Sequence, residues 1–362
     1  MRRAATSPST TVPPKRVYPA NIEYDPSGYG TYNHAALSDP NVGAVDINLN
    51  WYAVEPQAGK FDFAPADQEV AAWVKQGKKV TLELRFQHET NVPKADCTSD
   101  GWLPSWEVDR IPTVCEQRDT TGLLIPDYFD HVFQTDWRSY VATVAHHYAA
   151  SPYKNDVTYA RVALGLGAES FPLEPCYSPA AQHCSAASYR AAVHQLQVWG
   201  YTAASWLRWQ EGMLAYYKKA LTFTKVIYPI NQMLYPRTNR LNINTATGNP
   251  VNVDVAEWAA AHGFGIGQQG LNGPYTGDYA NFNEIIAYVR KHFPSTYLQF
   301  QTVAEVSNKG TPTCSAVCLV KRDVQVAELD GAHSIEWYSA DDANPSLQPS
   351  FAQFQRYVNA HH

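Results

Sequence analysis

Two glutamates, Glu169 and Glu305, follow apolar stretches of the chain, in LGLGAES and FQTVAEV. A carboxylate in such surroundings loses hydration, which is unfavourable unless the group is paired or takes part in chemistry. Two carboxyl groups that converge on one glycosidic bond can cleave it, because one protonates the leaving oxygen while the other attacks the oxocarbenium-like carbon. The alternative is an internal salt bridge, for instance from Glu305 to Arg85. We predict that both glutamates are catalytic.

Short apolar segments alternate with longer amphipathic ones along most of the chain, an order typical of βα units around a parallel sheet. The segments Gly43–Trp51 and Lys79–Phe86 alternate polar with apolar side chains. In a closed barrel their polar faces point inward and their apolar faces meet the helices. Six further segments are predicted strands: Arg16–Tyr24, Val157–Leu166, Thr224–Pro229, Gly263–Gly267, Tyr297–Val306 and Ala332–Tyr338. The sequence therefore predicts an α/β fold, a single (β/α)8 TIM barrel with long, cysteine-bearing βα loops.

Apolar residues at helical spacing predict the helices that connect these strands. They are Ala66–Gln76, Tyr128–Tyr148, Ser188–Leu221, Val255–His262 and Phe282–His292. Gly77 is placed to end the first of them, and Gly200 marks a break in the third. Barrels of this kind reach about 250 residues or more as one domain. We therefore expect residues 17–362 to form one catalytic domain.

The first 16 residues (MRRAATSPSTTVPPKR) are rich in Ser, Thr and Pro. Such a composition cannot bury a core and is typical of a disordered linker. The segment has no apolar region of its own. We expect that a signal peptide once preceded it, and that the protein is secreted.

The six cysteines form three local pairs along the chain. Fifteen pairings are formally possible, but proximity favours Cys97–Cys115, Cys176–Cys184 and Cys314–Cys318. A zinc site is the alternative, which the spacing disfavours because Cys314 and Cys318 have no second Cys or His pair at zinc-finger spacing. Three disulfides indicate an oxidising compartment, in agreement with secretion.

Charge and hydropathy disfavour two classes of partner. The net charge is −6 and no stretch forms a basic stripe, so a nucleic-acid partner is disfavoured. No apolar run approaches the ~20 residues of a membrane span. Aromatic residues make up 13% of the chain, which fits either a large core or a cleft in which rings stack on sugars. We expect a carbohydrate partner, no metal and no cofactor; the oligomeric state is left open.

The active site of such a barrel lies at the carboxyl ends of its strands and on the loops that follow them. Candidate stacking platforms there are Trp51, Trp106 and Trp337, each with core packing as the alternative. Candidate hydrogen-bonding residues are Arg85, His88, Asn231, Gln269 and Tyr275. Glu336, beside Trp337, is a possible alternative nucleophile to Glu305.

The segment Asn50–Phe63 (NWYAVEPQAGKFDF) resembles the second-strand signature of the retaining (β/α)8 glycoside hydrolases called clan A. The loop Trp102–Trp106 (WLPSW) and the helix after it are similar to that clan as well. The resemblance covers most of residues 17–360 as an order of elements. It implies that Glu169, after the fourth strand, is the acid/base and that Glu305, after the seventh, is the nucleophile. It also implies that Trp337 forms the floor of the sugar site.

One residue departs from the clan's pattern. Clan members usually have Asn directly before the acid/base, where its amide contacts the sugar 2-hydroxyl, whereas this chain has Ala168. Either another group, such as Asn231 or His88, binds that hydroxyl, or the substrate differs at that position. Two alternatives to a retaining hydrolase are a catalytically silent carbohydrate-binding barrel and an inverting hydrolase or transglycosylase using the same cleft.

Overall fold

A computed structural model of the chain describes residues 19–24, 34, 36–86, 103–117, 122–166, 169–173, 185–230, 246–247, 250–271, 280–302, 306 and 314–362. Its strands are β1 (Asn21–Tyr24), β2 (Ala44–Asn50), β3 (Lys79–Arg85), β4 (Thr113–Gln117), β5 (Gly122–Pro126), β6 (Val157–Val162), β7 (Lys225–Ile230), β8 (Gly265–Leu271), β9 (Leu298–Thr302) and β10 (Ser334–Tyr338). β4 and β5 form an antiparallel hairpin, and the other eight close into a parallel barrel in chain order. The predicted (β/α)8 barrel is confirmed.

The helices of the described residues surround this barrel or follow its strands. They are α1 (Trp51–Val54), α2 (Ala64–Lys75), α3 (Ser105–Val108), α4 (His131–Ala150), α5 (Ala186–Val198), α6 (Ala203–Ala220), α7 (Val251–Ala261), α8 (Ala280–His292), α9 (Ala316–Leu329), α10 (Ser339–Asp342) and α11 (Gln348–His361). The fourth and seventh barrel strands are thus β6 and β9, as the sequence predicts.

Glycines end and break helices where the sequence places them. Gly77 follows α2 with a φ of +76°, a left-handed conformation that glycine adopts without a steric penalty. Gly200, with a φ of +93°, separates α5 from α6, so the predicted helix Ser188–Leu221 is in fact two helices. The sequence analysis did not predict the β4–β5 hairpin or α9.

The barrel has a polar interior, as the alternation in β2 and β3 predicts. The two strands pair in parallel with Asp46 opposite Thr81, and their next inward residues are Asn48 and Glu83. All four side chains are buried. The residues between them, such as Ile47, are fully buried in the apolar layer under the helices.

Two glycines let β8 approach the barrel interior closely. A Cβ on Gly265 would lie 2.3 Å from Ile227 Cδ1, and one on Gly267 would lie 2.7 Å from Gln299 Oε1. Both distances are far inside normal contact, so larger residues would push the strand outward. β8 therefore leaves room for the bulky side chains of β7 and β9.

The structure confirms the disulfide Cys314–Cys318. Cys115 is also disulfide-bonded. Its expected partner Cys97 and the expected pair Cys176–Cys184 lie outside the described residues, as does the predicted linker. Among the described residues, no helix is both long and apolar enough to cross a membrane.

Candidate active site

Arg161 of β6 is the centre of an ion network inside the barrel. Its Nη1 donates to Glu336 Oε2 at 2.6 Å and to Gln301 Oε1 at 2.9 Å. Its Nη2 forms an ion pair with Glu83 and lies 3.7 Å from Asp46 Oδ2. The guanidinium and the three carboxylates are fully buried. The network joins β2, β3, β6, β9 and β10 below the mouth of the barrel.

Burial favours the protonated form of one carboxyl in this network. Burial raises the pKa of Asp46 well above its ordinary value of 3.8, and the nearby carboxylates Glu83 and Glu336 raise it further. Burial also opposes ionisation of Glu83, but Arg161 and Arg85 outweigh it and lower the pKa of the Glu83 carboxyl. Burial raises the pKa of Glu336 as well, although Arg161 opposes this shift. Of the three carboxyls, Glu83 is the one whose ionised form the network favours.

The raised pKa of Asp46 makes the free energy of unfolding depend on pH. Because the folded-state pKa of Asp46 is raised, the folded chain binds more protons than the unfolded chain above pH 3.8, and the free energy of unfolding falls as pH rises. Asp46→Asn removes this titration and keeps an oxygen for the hydrogen bond from Thr81 Oγ1. We expect the stability of the variant relative to the parent to rise with pH, by at most about 1.4 kcal/mol per pH unit.

Urea unfolding at several values between pH 4 and pH 8 measures this difference. The exposed Asp109 supplies the matched control, since Asp109→Asn makes the same substitution at the protein surface. A relative stability of Asp46→Asn that stays constant over the whole range would show that Asp46 ionises normally in the folded protein.

Glu336 belongs to this network and not to the mouth of the barrel. It is fully buried, and its Oε1 accepts a hydrogen bond from Tyr159 at 2.5 Å while its Oε2 is bound by Arg161. Both carboxylate oxygens therefore have hydrogen-bond partners inside the barrel. These contacts argue against Glu336 as the alternative nucleophile, and we assign it a structural role.

Arg85 ends β3 above the network. Its Nη2 donates to Tyr24 Oη at 2.6 Å and pairs with Glu83. Only 4% of its side chain is exposed. The predicted salt-bridge partner Glu305 lies outside the described residues. Hydrogen bonding of Arg85 to a substrate stays a prediction.

Glu169 follows β6 by seven residues and is bound back to the segment that leaves the strand. Its backbone N–H donates to the Leu166 carbonyl at 3.1 Å, and its own carbonyl accepts from Leu164 N at 3.0 Å and Gly165 N at 2.8 Å. A Cβ on Gly165 would lie 1.9 Å from the Phe171 carbonyl oxygen, so this turn requires glycine. These contacts fix the backbone of Glu169 at the carboxyl end of the fourth barrel strand, with its side chain half-buried.

The predicted nucleophile Glu305 lies outside the described residues, but residues on both sides of it are described. β9 ends at Thr302, three positions earlier. The backbone N–H of Val306 donates to Asp341 Oδ2 at 2.8 Å. Asp341 and Asp342, which look like loop charges in the sequence, are buried. Asp341 thus holds the chain one residue beyond Glu305.

Two of the predicted stacking platforms are wrong. Trp51 and Trp337 are fully buried outside the barrel wall, where they pack against helices. Trp51 Nε1 donates to Glu55 Oε2 at 2.7 Å. The other oxygen of this carboxylate, Oε1, accepts from the Gly59 backbone N–H, also at 2.7 Å. Trp337 Nε1 donates to Asn21 Oδ1 at 2.9 Å. The motif that resembles the clan therefore builds a structural turn, and neither ring is accessible to sugar.

The other predicted binding residues have different outcomes. Trp106 is half-buried, and its Nε1 donates to the Glu55 carbonyl at 2.9 Å. Gln269, near the carboxyl end of β8, is also half-buried, so both side chains keep accessible surface. His88, Asn231 and Tyr275 lie outside the described residues. Their roles stay predictions.

A pocket that the sequence analysis missed lies next to the Glu169 turn. It encloses about 270 Å³, open solvent at its entrance included. Its lining residues are Ser170, Phe171, Pro172, Trp206, Gln210, Val251 and Asn252. All lie at the end of the barrel where its strands finish. They follow β6, begin α7 or belong to the first half of α6, whose other end leads into β7. Among these lining residues, only Ser170 has a sequence position, next to Glu169, that indicates a place in the site.

Comparisons with known proteins identify similar folds. No protein-family model and no curated protein sequence matches the chain. The catalytic domain of β-amylase from Paenibacillus polymyxa is similar in structure, with a TM-score of 0.65 and 12% identity over 95% of this chain and 98% of that one. The chain has the (β/α)8-barrel fold. A thermostable mutant of a xylanase from Cellvibrio japonicus matches with a TM-score of 0.53 and 11% identity, over 93% of this chain and 97% of that one.

A third solved structure, exo-β-1,4-mannosidase Op5Man5 from Opitutaceae bacterium strain TAV5, matches with a TM-score of 0.51 and 12% identity. The match covers 95% of this chain and 60% of that one. At these identities the likeness establishes the fold alone. The resemblance seen in the sequence is thereby confirmed as a shared barrel architecture.

Proposed function

We propose that the protein is a retaining glycoside hydrolase, with Glu169 as acid/base and Glu305 as nucleophile. The observation that carries the proposal is the turn that fixes Glu169 at the carboxyl end of the fourth barrel strand. The similar barrels named above are a β-amylase, a xylanase and a β-mannosidase, all enzymes that act on glycosides. We therefore infer a carbohydrate substrate bound across the mouth of the barrel.

The reaction uses the two carboxyl groups in turn. Glu305 attacks the anomeric carbon and forms a glycosyl ester while the Glu169 carboxyl gives its proton to the leaving oxygen. The Glu169 carboxylate then takes a proton from water, which attacks the anomeric carbon, breaks its bond to Glu305 and releases the sugar and the free Glu305 carboxylate. Two displacements at one carbon return its original configuration.

Purified protein tested on aryl glycosides and polysaccharides should hydrolyse at least one neutral glycoside. Proton NMR of the first product formed should show the anomeric configuration of the substrate, because the mechanism inverts that centre twice. Product of the opposite configuration would exclude the covalent intermediate and favour the inverting mechanism. Binding to glycans without any turnover would favour the silent barrel instead.

We further propose that the protein is secreted. A disulfide between Cys314 and Cys318, together with the disulfide-bonded Cys115, supports an oxidising compartment. In cultures of the source cells, the protein should be found in the medium in its oxidised form.

A further inference from the structure

The pocket beside the Glu169 turn has an uncharged lining with both apolar and hydrogen-bonding groups. Phe171, Pro172, Trp206 and Val251 supply its apolar part. Trp206 exposes 3% of its surface and Val251 4%, so the pocket is narrow. It therefore suits a substituent of a few heavy atoms rather than a whole sugar ring.

Hydrogen bonds orient the Gln210 amide in this pocket. Tyr228 Oη donates to Gln210 Oε1 at 3.2 Å, and a hydrogen bond from Ser170 to Tyr228 continues the chain. The Gln210 oxygen is thereby engaged, which turns its Nε2 donor away from Tyr228. Within the part of the chain that the structure describes, no hydrogen bond involves this Nε2. The pocket thus offers a neutral donor held in a fixed direction.

The start of α7 adds to the preference for an acceptor. The helix begins at Val251 after Pro250, and no side chain caps its first turn. The first backbone N–H groups of a helix favour a hydrogen-bond acceptor or partial negative charge. Val251 and Asn252, in this first turn, both line the pocket. A ligand carbonyl oxygen in the pocket can accept from Gln210 Nε2 and then lies beside this helix start.

We propose that this pocket binds the acetamido group of a 2-acetamido sugar, an inference that rests on the proposed glycoside hydrolase function. The methyl group would pack against Trp206 and Val251, and the carbonyl oxygen would accept from Gln210 Nε2. A carboxylate, sulfate or ammonium substituent would enter without a countercharge, which is unfavourable. Ala168 agrees with this proposal. It replaces the Asn that contacts the sugar 2-hydroxyl in the clan that the sequence resembles, and a 2-acetamido sugar has no 2-hydroxyl.

Binding measured by titration NMR tests the pocket without catalysis. We expect methyl 2-acetamido-2-deoxy-β-D-glucopyranoside to bind about tenfold more tightly than methyl β-D-glucopyranoside, the effect of one well-formed hydrogen bond with a packed methyl group. Gln210→Glu keeps an oxygen for Tyr228 but replaces the donor, so it should abolish that preference. The exposed Gln197 on α5 gives the matched control, Gln197→Glu. Val251→Phe, which fills the pocket, should act like Gln210→Glu.

Equal binding of the two glycosides by the parent protein would overturn the proposal, and so would an unchanged preference in folded Gln210→Glu and Val251→Phe variants. Hydrolysis assays separate this result from the proposed function. Acetamido-selective binding that Gln210→Glu abolishes, without turnover of any glycoside, would uphold the pocket and refute the hydrolase. Turnover of glycosides without any preference for the acetamido group would support the hydrolase and refute the pocket.

Discussion

Glu169→Gln should lower kcat/KM on an unactivated glycoside by about 10²–10⁴, the range that general acid–base catalysis contributes. Glutamine has nearly the shape of glutamate, and the backbone hydrogen bonds that hold residue 169 do not depend on its side chain, so the variant should fold. The loss arises because no carboxyl group remains to protonate the leaving oxygen or to deprotonate water.

The leaving group distinguishes this role from a general loss of activity. A glycoside of a strongly acidic phenol needs no protonation, so its first step should persist in Glu169→Gln while release of the sugar becomes slow. A burst of phenol followed by slow turnover is therefore expected in rapid-mixing experiments. Azide, which attacks without a general base, should accelerate the second step and give a glycosyl azide.

A matched control is Glu284→Gln, at an exposed position of α8. It removes the same charge and should leave kcat/KM within about twofold of the parent value. Circular dichroism should confirm that both variants are folded. Full turnover of an unactivated glycoside by Glu169→Gln would refute the acid/base assignment.

Arg161→Met is expected to lower the free energy of unfolding by about 3–5 kcal/mol, because removing one partner of a buried ion pair leaves charges without compensation. Here the guanidinium contacts Glu83 and Glu336, both fully buried. The control is Arg356→Met on the exposed face of α11, which should change stability by less than about 0.5 kcal/mol.

A double-mutant cycle isolates the interaction between Arg161 and Glu336. Glu336→Gln keeps the shape and the acceptor oxygen while it removes one carboxylate. In the Arg161→Met background it should therefore cost less than in the parent, with a coupling of about 1–3 kcal/mol by urea unfolding. A stability of Arg161→Met within 1 kcal/mol of the parent would mean that the network contributes little to folding.

Alternation along strands predicted the architecture better than it predicted the site. The polar residues Asp46, Asn48 and Asn50 alternate with apolar ones, and this pattern correctly placed a polar face inside the barrel. The same rule should have separated Glu336 from Trp337, since neighbours in a strand face opposite sides. A position near a strand end therefore does not by itself place a side chain at the mouth of the barrel. Trp337 faces outward and is core.

Alternation along a single strand does not predict the network partners of Arg161. Glu83, Gln301 and Glu336 come from separate strands, and only closure of the barrel brings them together. The lining of the pocket around Gln210 depends likewise on how α6 packs against β7, which periodicity within one element does not determine. The sequence around His88 follows neither helical nor strand spacing, so it does not predict where that side chain lies.

Inside the barrel, two arginines join buried carboxyl and amide groups into one network that spans five strands. Charge at any of these positions can therefore change only when a partner changes with it. In related chains, substitutions at Asp46, Glu83, Arg161 and Glu336 should occur together, whereas the βα loops vary independently. In a redesign of this barrel, the loops can therefore be exchanged one at a time, whereas the interior residues have to be changed together.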